Sequence, residues 1–187
     1  MIRAADLRKG RAVLHEDNIW IVHECQHVAK GNKRSYMAAK LKNMQSGQLV
    51  DVRFRVDDTL ETPFLEAKEY EYLYKEGQEL VVMDVETYEQ TRLSRDLLGD
   101  GVLYLKPNER LTCQLHQGTI VTAELPNVVD LKVTDTPPVV KGATATAQSK
   151  DAVLETGARV RVPPFIEPGT VVRVDTRTGQ YVERAKT

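Results

Sequence analysis

The chain has 187 residues, 41% of them hydrophobic and 28% charged, with a formal net charge of −1. That balance excludes a chain disordered throughout, and no apolar run approaches the ~20 residues of a membrane-spanning helix. The start, MIRAADLRKG, has no apolar segment of signal-peptide length, so a soluble protein of the cytoplasm is expected. The charge is unevenly spread. Residues 1–61 carry 11 Lys and Arg against 8 Asp and Glu, residues 62–127 carry 6 against 12, and residues 128–187 carry 9 against 7. All 11 basic residues of the first stretch fall within residues 1–55, where only 5 acidic residues oppose them. A basic head on a near-neutral chain points to an oriented contact with a polyanion.

Period-2 patterning dominates in chain order. Arg11 to His15 reads as a strand, the polar run Glu16, Asp17, Asn18 as a turn, and Ile19 to Cys25 as the returning strand. A short polar stretch, Ala29 to Arg34, separates this hairpin from an extended segment, Ser35 to Asn43. There Met37, Ala39 and Leu41 share one face, and Tyr36, Ala38, Lys40 and Lys42 the other. Ser46 and Gly47 turn the chain into a strand over 48–56, in which Arg53 and Arg55 flank Phe54. A second block opens near Pro63. Its predicted strands are 70–74, 80–84, 89–93, 103–105, 111–116 and 120–125, with Gly77 and Gly118 at turns and a helical turn over 94–100. The third block has strands at 128–134, 158–162, 171–175 and 181–184, and a Pro-, Gly- and Thr-rich loop over 135–152. Strands every 8 to 12 residues suggest small closed barrels. The expectation is an all-β chain of three units, 1–63, 64–127 and 128–187.

No Walker-type loop, GxSxG or HExxH occurs, and none of the serines, at 35, 46, 94 and 149, sits in a nucleophile motif. The carboxylates Glu66, Glu69, Glu71, Glu76 and Glu79 read as a solvated, anion-repelling surface, so no enzyme is expected. Cys25 and Cys113 form no CxxC pair and read as reduced thiols. His23 and His27 lie on a predicted strand, where their spacing separates them by ~13 Å, so no metal site is expected. The binding signals are stronger. Lys30, Lys33 and Arg34 surround Gly31 and Asn32 at a hairpin tip narrow enough to enter a phosphate-lined cleft. Lys40 with Lys42, and Arg53 with Arg55, share faces on strands beside that hairpin and can follow a phosphate backbone by charge, without reading sequence.

Residues 150–184, KDAVLETGARVRVPPFIEPGTVVRVDTRTGQYVER, closely resemble the C-terminal signature of the elongation factor P family. LysLeuLysAsn at 40–43, TyrLeuTyr at 72–74, GluLeuPro at 124–126 and LysGly at 141–142 agree in order, so the resemblance covers essentially the whole chain. It implies an SH3-like N-terminal domain and two OB-type domains in an L-shaped, tRNA-like arrangement. It implies a translation elongation factor, without cofactor, acting as a monomer with no membrane contact. Such a factor binds the 70S ribosome between the P and E sites, against ribosomal RNA and the P-site peptidyl-tRNA. The hairpin tip then steadies the CCA end and promotes peptide-bond formation at stalls such as consecutive prolines, by positioning. By motif position, Arg177, Tyr181 and Arg184 lie toward the anticodon arm, and Gly142 and Thr144 belong to a loop that approaches the messenger.

Two departures from the family pattern matter. The family tip reads Pro-Gly-Lys-Gly, with a lysine that carries a modification in many bacteria; counting back from Lys40, that position here is Asn32. The expectation is an unmodified or differently modified tip, with Lys33, or else Lys30, as the working or modified residue. The family's Gly-Asp-Thr is Gly142, Ala143, Thr144 here, so a carboxylate is lost. A general OB-type RNA-binding protein and the elongation-factor-P-like paralogue are the alternative readings.

Overall fold

The structure is a computed structural model that describes residues 1–30, 33–138 and 149–185, without the side chains of Lys30, Lys33 and Arg34. Gly31, Asn32, Gly142, Ala143 and Thr144 of the sequence reading lie outside the described residues. The chain divides into two compact units, Met1–Glu66 with Leu115–Val121, and Ala67–Gln114 with Thr122–Thr187. Among the described residues, regular structure is strand apart from three short 3-10 turns.

The N-terminal sheet is a meander of β2 (Ala12–His15), β3 (Asn18–Lys30), β4 (Lys33–Asn43) and β5 (Leu49–Arg55). β1 (Ile2–Arg3) pairs with β6 (Thr59–Leu60), and a bridge between Leu14 and Glu61 ties this ribbon to β2. The β2–β3 turn holds Glu16 and Asp17 at φ 49° and 58°, the double positive φ that matches strand twist in a two-residue hairpin. At the β4–β5 turn the buried Asn43 carboxamide oxygen accepts from the Gln45 and Ser46 amides at 2.8 and 2.9 Å, and Gly47 supplies φ +72°. Alternation is as expected: Met37, Ala39 and Leu41 are buried with Val22, Trp20 and Phe54. Sequence patterning ended the second strand at Cys25, whereas β3 runs to Lys30. Polar residues such as Gln26 and His27 need not end a strand, because a ladder to β4 satisfies their backbone and their side chains reach water.

The central sheet comprises β7 (Glu66–Glu76), β8 (Glu79–Asp84), β9 (Gln90–Ser94), β10 (Arg110–His116) and β11 (Thr119–Glu124), in the order β11-β10-β7-β8-β9. The last sheet comprises β12 (Val128–Asp135), β13 (Lys150–Leu154), β14 (Arg159–Val162), β15 (Val171–Asp175) and β16 (Gln180–Arg184), in the order β14-β13-β12-β15-β16. Counted within each sheet, both orders are 5-4-1-2-3 or its equivalent 3-2-1-4-5, the Greek-key order of an OB barrel. In the last sheet β14 and β16 lie side by side around a core that includes Leu131, Leu154, Val160, Val172 and Val174.

Two sequence expectations are corrected. Residues 103–105 are not a strand: a 3-10 turn covers Gly99–Tyr104, stabilised by Gly101 N–H to Leu98 O at 3.0 Å and Leu105 N–H to Val102 O at 3.3 Å, with Gly99 at φ +53°. The loop expected over 135–152 ends sooner, because β13 begins at Lys150 and buries Ala152 and Leu154 by alternation. A further feature is that Tyr70, Tyr72 and Tyr74 of β7 do not share a face. A register shift between Tyr72 and Tyr74 leaves Leu73 unpaired, so Tyr70 and Tyr72 are buried while Tyr74 turns outward.

Candidate functional site

The register of β3, β4 and β5 places the sequence-predicted cations in rows on one outer face. From the hairpin end the cross-strand rows are Val28–Tyr36–Arg55, then Gln26–Ala38–Arg53, then Glu24–Lys40–Asp51. Lys42 follows beside Ile21 and Leu49. Lys40, Lys42, Arg53 and Arg55 therefore do lie on one face, as alternation requires. They are not equivalent. Lys40 stands between two carboxylates, so its row is net negative, whereas the rows of Arg53 and Arg55 contain no acid. Two adjacent rows that hold a cation and no acid, those of Arg53 and Arg55, lie at the hairpin end of this face, and Lys42, also without a cross-strand acid, lies on the other side of Lys40. Arg53 is oriented further by Tyr36, whose ring centroid lies 5.5 Å from the guanidinium carbon. The Arg55 backbone amide donates to Asp58 Oδ2 at 2.7 Å, which fixes the end of β5.

Beyond the row of Arg55 only β3 and β4 remain paired, and their last paired residues are Lys30 and Lys33. The face stays in register because of a bulge. The ladder shifts between Val22 and Glu24, so His23 has no partner, and Val22 and Cys25 both face the core. His23 and His27 are exposed, and no group of three or more potential metal ligands occurs among the described residues.

The C-terminal candidates sit on a different element. Asp175 grips Arg177, with Nε at 3.1 Å from Oδ1 and Nη2 at 2.7 Å from Oδ2, while the Arg177 amide donates to Oδ1 at 2.8 Å. The Arg177 guanidinium and amide together pull the Asp175 carboxyl down to about 2. Thr176 Oγ1 donates to Pro126 O at 2.7 Å and its amide to Asn127 O at 3.0 Å. Gly179 closes the turn with N–H to Asp175 O at 2.8 Å and φ +69°. A Cβ on Gly179 would stand 2.5 Å from the Tyr104 hydroxyl oxygen. The ValAspThrArgThrGly motif is thus a self-bonded turn that Tyr104 packs against. Tyr181 is half-buried on the core of this sheet, and Arg184 is exposed opposite Val172.

Sequence reasoning missed the role of the segment from the last residue of the 3-10 turn onward. Tyr104 packs on the last sheet's core, and Lys106 Nζ donates to Asp130 O at 2.5 Å. Asp130 also holds Arg173, with Nε to Oδ1 at 2.9 Å, and Arg173 reaches Glu183 at 2.8 Å. The Arg173 hydrogen bonds keep the Asp130 carboxyl below its usual range. No local pattern announces these partners, because Lys106 and Asp130 are 24 residues apart. Several of the acidic residues of the central block are engaged in exposed ion pairs, Glu76 and Glu79 with Arg92 at 2.9 and 3.6 Å and Glu69 with Arg110 at 3.1 Å.

A basic-ended β hairpin on a small meander sheet, followed by two sheets of OB order, defines a multi-barrel β protein of the KOW-plus-OB class. Three elongation factor P family models match in sequence: the KOW-like domain over residues 3–60, the OB domain over 65–123 and the C-terminal domain over 129–184. The elongation factor P of Moorella thermoacetica is 42% identical over 99% of this chain and 100% of its own length. That of Thermus thermophilus is 43% identical over the same shares of the two chains. A solved structure, a eukaryotic translation initiation factor 5A from Methanococcus jannaschii, aligns with 66% of this chain and 92% of its own at a TM-score of 0.43 and 15% identity. The chain belongs to the elongation factor P family, and so to the translation elongation factors.

Proposed function

We propose that this chain binds the 70S ribosome between the P and E sites and steadies the CCA end of the peptidyl-tRNA, so that peptide bonds form at stalls such as consecutive prolines. The ribosome supplies the chemistry. The factor lowers the barrier by holding a constrained reactant in place. The β3–β4 hairpin carries Lys30, Gly31, Asn32, Lys33 and Arg34 toward the reaction centre, and Lys33 is the working cation. Arg53, Arg55 and Lys42 follow ribosomal RNA or tRNA phosphate along the outer face, with Lys40, between Glu24 and Asp51, contributing less. Arg177, Tyr181 and Arg184, with Gly142 and Thr144, serve the anticodon side. The protein works as a monomer in the cytoplasm, without cofactor or membrane contact.

The observation that carries this reading is the arrangement of charge along the outer face, where the two successive rows at the hairpin end, those of Arg53 and Arg55, each hold a cation and no acid. A polyanionic cleft then draws the hairpin in end first. The test is reconstituted translation of a messenger encoding three consecutive prolines, with protein made in a host lacking modification enzymes. Relief of the stall supports the reading and shows that an unmodified Asn32 tip suffices. Inactivity of both this protein and the native-host protein overturns it in favour of general RNA binding. Lys33→Ala is expected to reduce relief with the fold intact by circular dichroism; full relief by that variant removes Lys33 from the role.

A further inference from the structure

The outer surface of the last sheet carries a feature that stall relief by the hairpin leaves unused. A cleft of about 580 Å³ follows the seam between β14 and β16, within the ~300–1,000 Å³ of small-ligand pockets. β14 reads Arg159, Val160, Arg161, Val162. Alternation buries both valines and puts both guanidinium groups outside. Pro163 and Pro164 extend that wall, and Tyr181 lines the other. Tyr181 is held by the core beneath it, so it needs little further ordering to receive a planar group. No carboxylate lines the cleft among the described residues. Arg161 has Asp151 at 3.7 Å, but both side chains are more than three-quarters exposed, at 76% and 78%, so the pair is weak.

We propose that this seam is a binding slot for one unpaired RNA nucleotide, with its base against Tyr181 and the proline wall and its phosphate on Arg159 and Arg161. Two cations on one wall select an anion, since the acid across from Arg161, Asp151, stands in solvent outside the lining. The apolar wall beside them selects one with a flat hydrophobic part, which inorganic phosphate lacks. The proposal rests on the reading that this chain works against RNA on the ribosome, and it names a contact within that reading.

The probe is a single-stranded uridine pentamer titrated into the full chain, read by amide NMR shifts and by fluorescence anisotropy. Shifts are expected at Arg159, Arg161, Gln180 and Tyr181. The double variant Arg159→Gln, Arg161→Gln is expected to weaken binding about tenfold or more. It should also flatten the slope of log affinity against log salt by roughly 0.7, the value for one phosphate no longer neutralised. Arg110→Gln, whose arginine pairs with Glu69 on the central sheet, is expected to change neither. Tyr181→Leu, with folding checked by circular dichroism, should lose about tenfold in affinity at an unchanged salt slope. Absence of pentamer binding, full binding by the double variant, or equal competition by inorganic polyphosphate overturns the slot. So does preference for an acidic peptide over the pentamer. Stall relief by the wild-type protein, measured alongside, separates the two claims. Relief without pentamer binding removes only the slot, and pentamer binding without relief removes only the stall reading.

Discussion

Replacing Gly179 with alanine should destabilise the unit that contains it through two separable effects. The first is backbone strain: φ is +69°, where an L side chain costs about 1 kcal/mol. The second is collision, because the new Cβ would stand 2.5 Å from the Tyr104 hydroxyl oxygen, about 1 Å inside ordinary contact. Tyr104 cannot swing away freely, since its ring packs against the core of the last sheet. Forcing such a ring aside costs on the order of 1–3 kcal/mol. The total is then about 2–4 kcal/mol. Gly77→Ala is the control, at φ +62° with nothing within 4 Å of the added Cβ, and should cost only about 1 kcal/mol. Tyr104→Phe removes the clashing oxygen and leaves the ring Cζ at 3.6 Å, an ordinary contact. In that background Gly179→Ala should cost no more than Gly77→Ala does, a coupling of roughly 1–3 kcal/mol. The assay is urea unfolding followed by circular dichroism. Fluorescence of the single tryptophan, Trp20, reads the N-terminal core separately. Equal costs for Gly179→Ala and Gly77→Ala, or an additive double mutant, would refute the argument that Tyr104 dictates glycine at this position.

Three further predictions concern other parts of the chain. The Asp175 carboxyl is lowered to about 2 by Arg177, so its contribution to stability is complete above its unfolded value, ~3.9, and fades as pH falls toward 2. The melting-temperature gap between wild type and Asp175→Asn should therefore be widest above pH 5 and close at low pH; a gap independent of pH would show that the ion pair contributes nothing. Burial pushes the Cys113 thiol up to about 12, so a disulfide reagent at pH 8 should modify Cys25 in the native protein and Cys113 only after unfolding. Counting modified thiols by mass before and after denaturation checks this. Tyr88 is exposed at φ +61°, and Tyr88→Gly should raise stability by about 0.5–1 kcal/mol in the same urea assay.

Turn chemistry and period-2 alternation were legible without coordinates, because both are local. Met37, Ala39 and Leu41 had to share a face once the segment was extended, and Gly47, Gly77 and Gly118 marked turns that do adopt positive φ. The family resemblance was legible for the same reason, since residues 150–184 carry it without a gap. What the residue string left open was set by partners distant along the chain. The bulges at His23 and Leu73 appear only when a neighbouring strand is one residue shorter, and they decide that Cys25 faces the core and Tyr74 faces water. Lys40 reads as a phosphate contact until cross-strand register places Glu24 and Asp51 on either side of it. Gly179 reads as an ordinary turn glycine until Tyr104, 75 positions earlier, is seen against it. Composition and alternation thus determined which residues face in and where the chain turns, because those follow from neighbouring backbone geometry. Tertiary packing alone decided which charges remain uncompensated and which glycine cannot be replaced, because charge balance and steric room belong to residues brought together by folding.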